Sequence, residues 1–243
     1  MRNVTLILCA SALPALAAPN NTIFGISLGG SQGPQSLGVP MQILLLMTFL
    51  TLLPAILMSL TPFLRAIVVL HFLRQALGTQ TTPSNQVLVG LALFLALVVI
   101  SPVGEQIFHD SWQPLENGTI TTQQAWDRAE APLRAFLLRF AREKDIRLFL
   151  ELSHAPAPAT PADVPLSALA PAYVLSELKT AFQIGAVLFL PFLIIDLVVS
   201  SVTLSVGMVQ LPPMMVSAPF KILLFVLVDG WNLVIGSLVK SFY

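Results

Sequence analysis

Charge is scarce in this sequence. Asp, Glu, Lys and Arg make up 10% of its 243 residues, hydrophobic residues make up 56%, and the mean hydropathy is +0.84. A soluble domain carries about 25% charged residues. This chain cannot clothe a water-facing surface with charge, so it reads as a membrane protein. Cysteine occurs once, as Cys9. Loss of that first segment would leave no thiol, excluding disulfides, a cysteine nucleophile and a cysteine-ligated metal. The three histidines, His71, His109 and His154, are too scattered to form a metal site by spacing. No P-loop, hydrolase elbow, zincin motif or catalytic carboxylate pair occurs. No cofactor pattern is found, and the chain does not read as an enzyme. The net charge is zero, which offers no basic surface to nucleic acid.

The charges that exist are segregated. Residues 102–182 hold ten acids and seven bases; the rest of the chain has only Asp196 and Asp229 as acids, with five bases. Apolar ends bracket one polar module. At the N-terminus, Arg2, an apolar run over 4–16 and the small-residue site Ala15-Leu16-Ala17 form a signal-peptide pattern cleaved after Ala17. A retained anchor is the alternative. Residues 18–40, rich in Gly, Ser, Asn, Gln and Pro, read as a flexible exported leader. Four apolar segments follow, at 41–60, 87–103, 184–206 and 219–239. Pro102 is expected to end the second.

Residues 61–86 read as a loop between the first two segments, with Arg65, His71 and Arg74 and no acid. Positive loops stay in the cytoplasm. Alternation then places the mature N-terminus and residues 104–183 outside. That module reads as helical: Thr121 or Thr122 caps a helix near Gln123, Pro132 marks a break or a new first turn, Phe136, Leu137 and Phe140 recur at helical spacing, and 167–182 reads as a helix leading into the third apolar segment. No strand signal rises above noise. The expected fold is all-α: an apolar helical hairpin over 41–103, a periplasmic helical module over 104–183, and a second hairpin over 184–243.

Asp196 and Asp229 are the sharpest polar signals, because a carboxylate at the centre of a lipid-facing helix costs about 2.5–3.5 kcal/mol on insertion scales. Two readings stand open: a site in an ion or proton pathway, or buried structural contacts with Arg65, Lys179 or Lys221 as partners. Glu177 and Lys179, just before an apolar stretch, read either as inter-subunit contacts or as solvated charges. The linker 207–215, with Met208, Val209, Gln210, Pro212 and Pro213, cannot be a continuous helix. It reads as a pore constriction or as a surface turn.

The stretch Ser176-Glu177-Leu178-Lys179-Thr180-Ala181-Phe182-Gln183-Ile184-Gly185, with Phe189-Leu190-Pro191-Phe192-Leu193-Ile194-Ile195-Asp196 after it, closely resembles the FliP family of flagellar type III export-gate proteins, which is related to the SctR subunits of injectisomes. Leu223–Trp231, Ser237–Tyr243, Met58–Phe63 and Leu133–Leu138 carry the same likeness, which covers nearly everything after residue 40. The resemblance implies a subunit of the bacterial inner membrane and flagellar basal body. It implies a homo-oligomer, a pentamer in the family's manner, with FliR-like and FliQ-like subunits and other type III export proteins around it. It also implies membrane lipid as a partner and a pore through which unfolded flagellar proteins pass, with much of the apolar chain held above the bilayer plane. The family's methionine gasket maps to Met208, Val209 and Gln210, where only the first keeps the sulfur. A proton or ion channel using Asp196 and Asp229, or a structural seed for gate assembly, are the rival roles.

Overall fold

The computed structural model describes residues 22–23, 26–27, 39–154, 158, 160–207 and 212–243. The segment read as a signal peptide, most of the segment read as a leader, and Met208, Val209 and Gln210 lie outside the described residues. The chain divides into two units, Met1–Leu52 and Leu53–Tyr243.

The first unit contains two short strands, β1 (Thr22–Ile23) and β2 (Ile26–Ser27), paired antiparallel with Ile23 opposite Ile26. Two residues per strand are too few for a period-two pattern to register, and helix accounts for nearly all the regular structure. α1 (Val39–Ser59) begins in this unit. It is apolar on every side, and its hydroxyls turn back on its own backbone: Thr48 Oγ1 donates to the Leu44 carbonyl at 2.8 Å and Ser59 Oγ to Ala55 at 2.8 Å. Internal satisfaction of this kind is what a hydrocarbon environment requires.

The second unit is built on two helices, α2 (Phe63–Ala76) and α7 (Leu166–Ser205). α2 overturns the reading of 61–86 as a loop. Phe63, Ala66, Val69, Leu70, Leu73 and Ala76 form a buried stripe at helical spacing, and Arg65 is buried with them. Each fully buried Leu or Val contributes about 1.5–3 kcal/mol. α3 (Asn85–Ile107) lies against α2 through Leu88, Ala92, Ala96 and Val99; the two alanines let the helices approach closely. α3 also runs straight through Pro102. That proline has no N–H for the Val98 carbonyl, and Ser101 Oγ donates to the same oxygen at 3.2 Å instead.

After α3 come one π-helical turn (Phe108–Trp112) and the short α4 (Gln113–Glu116). α5 (Thr122–Phe140) opens on a capping box in which Thr121 and Gln124 serve each other's backbone, and it too continues through its proline, Pro132. α6 (Glu143–Leu152) restarts after an extended break at Ala141 and Arg142.

α7 is one helix of 40 residues, about 60 Å long. It joins what reads in sequence as the end of a periplasmic module to the third apolar segment. Its first half is core: Ala168, Leu169, Ala172, Tyr173, Ser176, Glu177 and Ala181 are buried. At Gly185 the Phe72 ring of α2 comes so close that an added Cβ would lie 2.5 Å from its Cδ2. The second half exposes Leu190, Leu193, Ile194, Leu197 and Val198. α8 (Pro213–Leu227) and α9 (Gly230–Lys240) replace the fourth straight segment with a pair bent by 67° at Asp229. Among the described residues three helices are long and apolar enough to cross a membrane, or four if the bent pair counts as one span.

Candidate functional site

Three ion pairs, one buried on both sides and two buried on one side, join the helices and engage most of the charged residues singled out above. Arg65 projects from the first turn of α2 into the interface with α7. Its Nε donates to Glu177 Oε2 at 2.7 Å and its Nη2 to Oε1 at 2.5 Å, a bidentate fork between side chains that are 4% and 0% exposed. Nη1 turns to the end of the chain, donating to the Ser241 carbonyl at 3.1 Å and to Ser241 Oγ at 2.9 Å. The guanidinium carbon lies 3.8 Å over the Phe242 ring and 5.4 Å from that of Phe140. One arginine thus ties together α2, the long helix, the end of α5 and the segment after α9. The Tyr173 hydroxyl, one turn before Glu177, is buried with no hydrogen-bond partner among the described residues.

The second cluster sits at the start of α6. Asp145, 2% exposed, accepts from Lys179 Nζ and from Ser176 Oγ at 2.7 Å; Ser176 Oγ in turn accepts from the Arg142 backbone N–H at 2.8 Å. The Arg142 side chain continues along α7 to Thr180 at 3.1 Å and Gln183 at 2.7 Å. Burial alone raises the pKa of Asp145. The hydrogen bonds from Lys179 and Ser176, with the charges of Lys179 and Arg142, outweigh that and hold the carboxyl below the usual carboxylate range.

The third cluster joins α7 to α8. Lys221, 3% exposed, donates to Asp196 Oδ2 at 2.6 Å and to the Ala76 carbonyl at 3.1 Å; Ser217 Oγ donates to Asp196 Oδ1 at 2.5 Å. Lys221 therefore also serves one of the carbonyls left over in the last turn of α2. Of the three candidate cations, the geometry gives Asp196 Lys221, while Arg65 and Lys179 go to Glu177 and Asp145. Asp229 stands apart. It is exposed at the bend, and its Oδ2 accepts from Asn232 Nδ2 at 3.2 Å. Residues 208–210 lie outside the described residues.

Several participants escape a sequence reading. Asp145 and Ser176 have only a weak signal, an acid in the first turn of an amphipathic helix facing a small polar residue on an apolar one. Ser241 and Phe242 have none, because their partner Arg65 lies 176 residues away for Ser241. The bend at Asp229 does have a signal: Asp-Gly inside an apolar run is a turn dipeptide. Among the described residues no group of His, Cys, Asp and Glu could hold a metal ion.

The sequence pattern of the FliP family matches residues 46–238. Flagellar biosynthetic protein FliP of Pectobacterium carotovorum subsp. carotovorum is 51% identical over 211 residues, covering 87% of this chain and 82% of the relative. FliP of Bacillus subtilis strain 168 is 46% identical over 217 residues, 89% of this chain and 98% of the relative. FliP of Caulobacter vibrioides is 45% identical over 236 residues, 97% and 87% of the two chains. The matched span includes Arg65, Glu177, Asp196, Lys221 and Asp229, and a likeness of this length and identity settles the relationship: the chain belongs to the FliP family.

Proposed function

We propose that the chain is a pore-forming core subunit of the flagellar type III protein export gate, passing unfolded flagellar proteins across the bacterial inner membrane during flagellum assembly. Family membership over residues 46–238 carries this reading. As a FliP-family protein it is a component of the flagellar export apparatus, not an enzyme, and other export-gate subunits are its partners. The finer reading is a homo-oligomeric ring with FliR-like and FliQ-like neighbours, the turn around 208–210 forming the constriction.

The physical features support that reading. The second half of α7 and most of α8 expose large apolar side chains while carrying Asp196 at the α7–α8 interface and Asp229 at the bend. Such a surface suits helices packed among neighbouring subunits better than helices bathed in lipid. Asp196, held by Lys221 and Ser217, is equipped as a clamp between α7 and α8, the helices on either side of residues 208–210. This favours scaffolding over proton conduction for that residue.

The experiment is replacement of the chromosomal copy by Asp196→Asn, with secretion of flagellar proteins into the medium and recovery of the gate complex measured together. The reading predicts that complex and secretion fall in parallel. Lost secretion from an intact complex would move Asp196 into the transport chemistry. Normal secretion in a strain lacking the chain altogether would refute the gate function.

A further inference from the structure

The three acids at stake, two on α7 and one at the α8–α9 bend, are not treated alike. Glu177 and Asp196 each take a cation from a neighbouring helix of this chain. Asp229 takes none: among the described residues no lysine, arginine or histidine lies within ion-pair distance of it, and its side chain meets only the Asn232 amide. Lys240, at the far end of α9, is about 15 Å away along the helix.

The position is also specially built. Asp229 holds φ 53° and ψ 50°, the left-handed region that side-chain-bearing residues enter at a cost. It occupies the N-cap position of α9, yet its carboxylate caps none of that helix's N–H groups. The bend around it is firmly packed. Gly230 is buried against the Phe225 ring so tightly that a Cβ would overlap it, and Phe225 meets Trp231 edge-on at 5.5 Å. The carboxylate is thus held outward at a fixed place. Its sequence neighbours Val226, Leu227 and Val228, and Leu233 one helical turn on, are exposed as well.

An unpaired carboxylate among exposed aliphatic side chains is poorly served by lipid tails, and water would leave the aliphatic residues unburied. One kind of occupant satisfies both. The geometry points to the α8–α9 bend as a docking face for an apolar helix of a neighbouring subunit that carries a single lysine or arginine, its cation pairing with Asp229 and its apolar side chains covering Leu227 and Leu233. The chain already uses this design twice internally, where one acid on an apolar helix meets one cation on the helix beside it. The inference rests on the chain working inside a multi-subunit gate.

Asp229→Asn isolates the charge. Asparagine tolerates the left-handed backbone, keeps the shape and can keep the Asn232 contact. The whole gate complex is extracted in mild detergent from cells carrying wild-type or Asp229→Asn chain, and the co-purified neighbours are quantified by mass spectrometry. In parallel, a photo-activated benzophenone side chain replaces Leu233 in the wild-type background. The expected result is a loss of about tenfold in retention of one neighbouring subunit, with unchanged abundance of the chain itself, and a benzophenone adduct to a peptide of an apolar helix containing Lys or Arg. Retention within twofold of wild type would overturn the inference. So would adducts confined to lipid, which would assign the face to headgroups, or to a peptide without a basic residue. Should Asp229→Asn fail to accumulate, the benzophenone adduct alone decides. Because neighbour retention and adduct identity are read directly, these failures remain distinct from a failure of the export reading, which shows as normal secretion without the chain.

Discussion

Replacing Arg65 by methionine tests the centre of the fold. Methionine keeps much of the aliphatic stem and removes the guanidinium. Glu177, 0% exposed, then loses both partners, at 2.7 and 2.5 Å, and the Ser241 oxygens lose theirs at 2.9 and 3.1 Å. Breaking a buried pair from one side costs about 3–5 kcal/mol, because the remaining charge is left uncompensated. The cation over the Phe242 ring adds up to about 2 kcal/mol where it is desolvated. Against a total stability of about 5–15 kcal/mol, either loss is large enough to reduce the amount of folded chain. Glu177→Leu alone strands the arginine and is expected to cost about as much. The double variant Arg65→Met with Glu177→Leu puts apolar side chains where the pair was, and most of the loss is recovered. The assay is thermal unfolding of the detergent-solubilised complex for the four proteins of the cycle, with membrane abundance of the chain as a second readout. Because the double variant then costs less than either single one, the cycle is expected to return a coupling of at least about 3–5 kcal/mol. Single variants within about 0.5 kcal/mol of wild type, or strictly additive losses, would refute the reasoning.

Three further outcomes are expected. Asp145 has a folded pKa below its ordinary value, so its contribution is complete above about pH 4 and is lost as the pH falls through the depressed folded value; Asp145→Asn flattens the acid limb of the unfolding curve, and an unchanged limb contradicts this. Lys221→Met leaves Asp196, 32% exposed, without its cation and the Ala76 carbonyl without its donor; it lowers thermal stability by about 1–3 kcal/mol, and the same change in an Asp196→Asn background costs less, while equal costs in both would argue against the clamp. Small residues in place of Met208, Val209 and Gln210 make the closed pore leak ions, seen as raised membrane conductance with normal assembly; unchanged conductance in an assembled gate counts against the constriction.

Some of this was written plainly in the sequence. An acid inside an apolar run has few physical options, so Asp196 was visible as a polar contact, with Lys221 among its candidate partners. The helical class followed from apolar segments of about 20 residues, which leave little else to build. Other features were hidden for definite reasons. α2 looks like a basic loop because Arg65, His71 and Arg74 lower its hydropathy, and only the three-dimensional structure shows that Arg65 points inward at Glu177, 112 residues away. Prolines misled twice. Pro102 and Pro132 both lie inside helices, in the first case because Ser101 takes over the orphaned carbonyl. The first half of α7, with Glu177 and Lys179, is polar enough to be grouped with the module before it, yet 167–182 reads as a helix leading into the third apolar segment, and the structure joins the two without a break. The Arg65 hub depends on residue 65 meeting residues 112 and 176 positions further along the chain, which local periodicity does not encode.

The most direct test is gentle extraction of the intact assembly from flagellated cells, followed by native mass spectrometry with a tag on an exposed residue of α6. The expected result is several copies of this chain in one particle together with FliR-like and FliQ-like subunits. Recovery of the chain as a lone monomer, from cells that still secrete flagellar proteins normally, would contradict the role assigned to it.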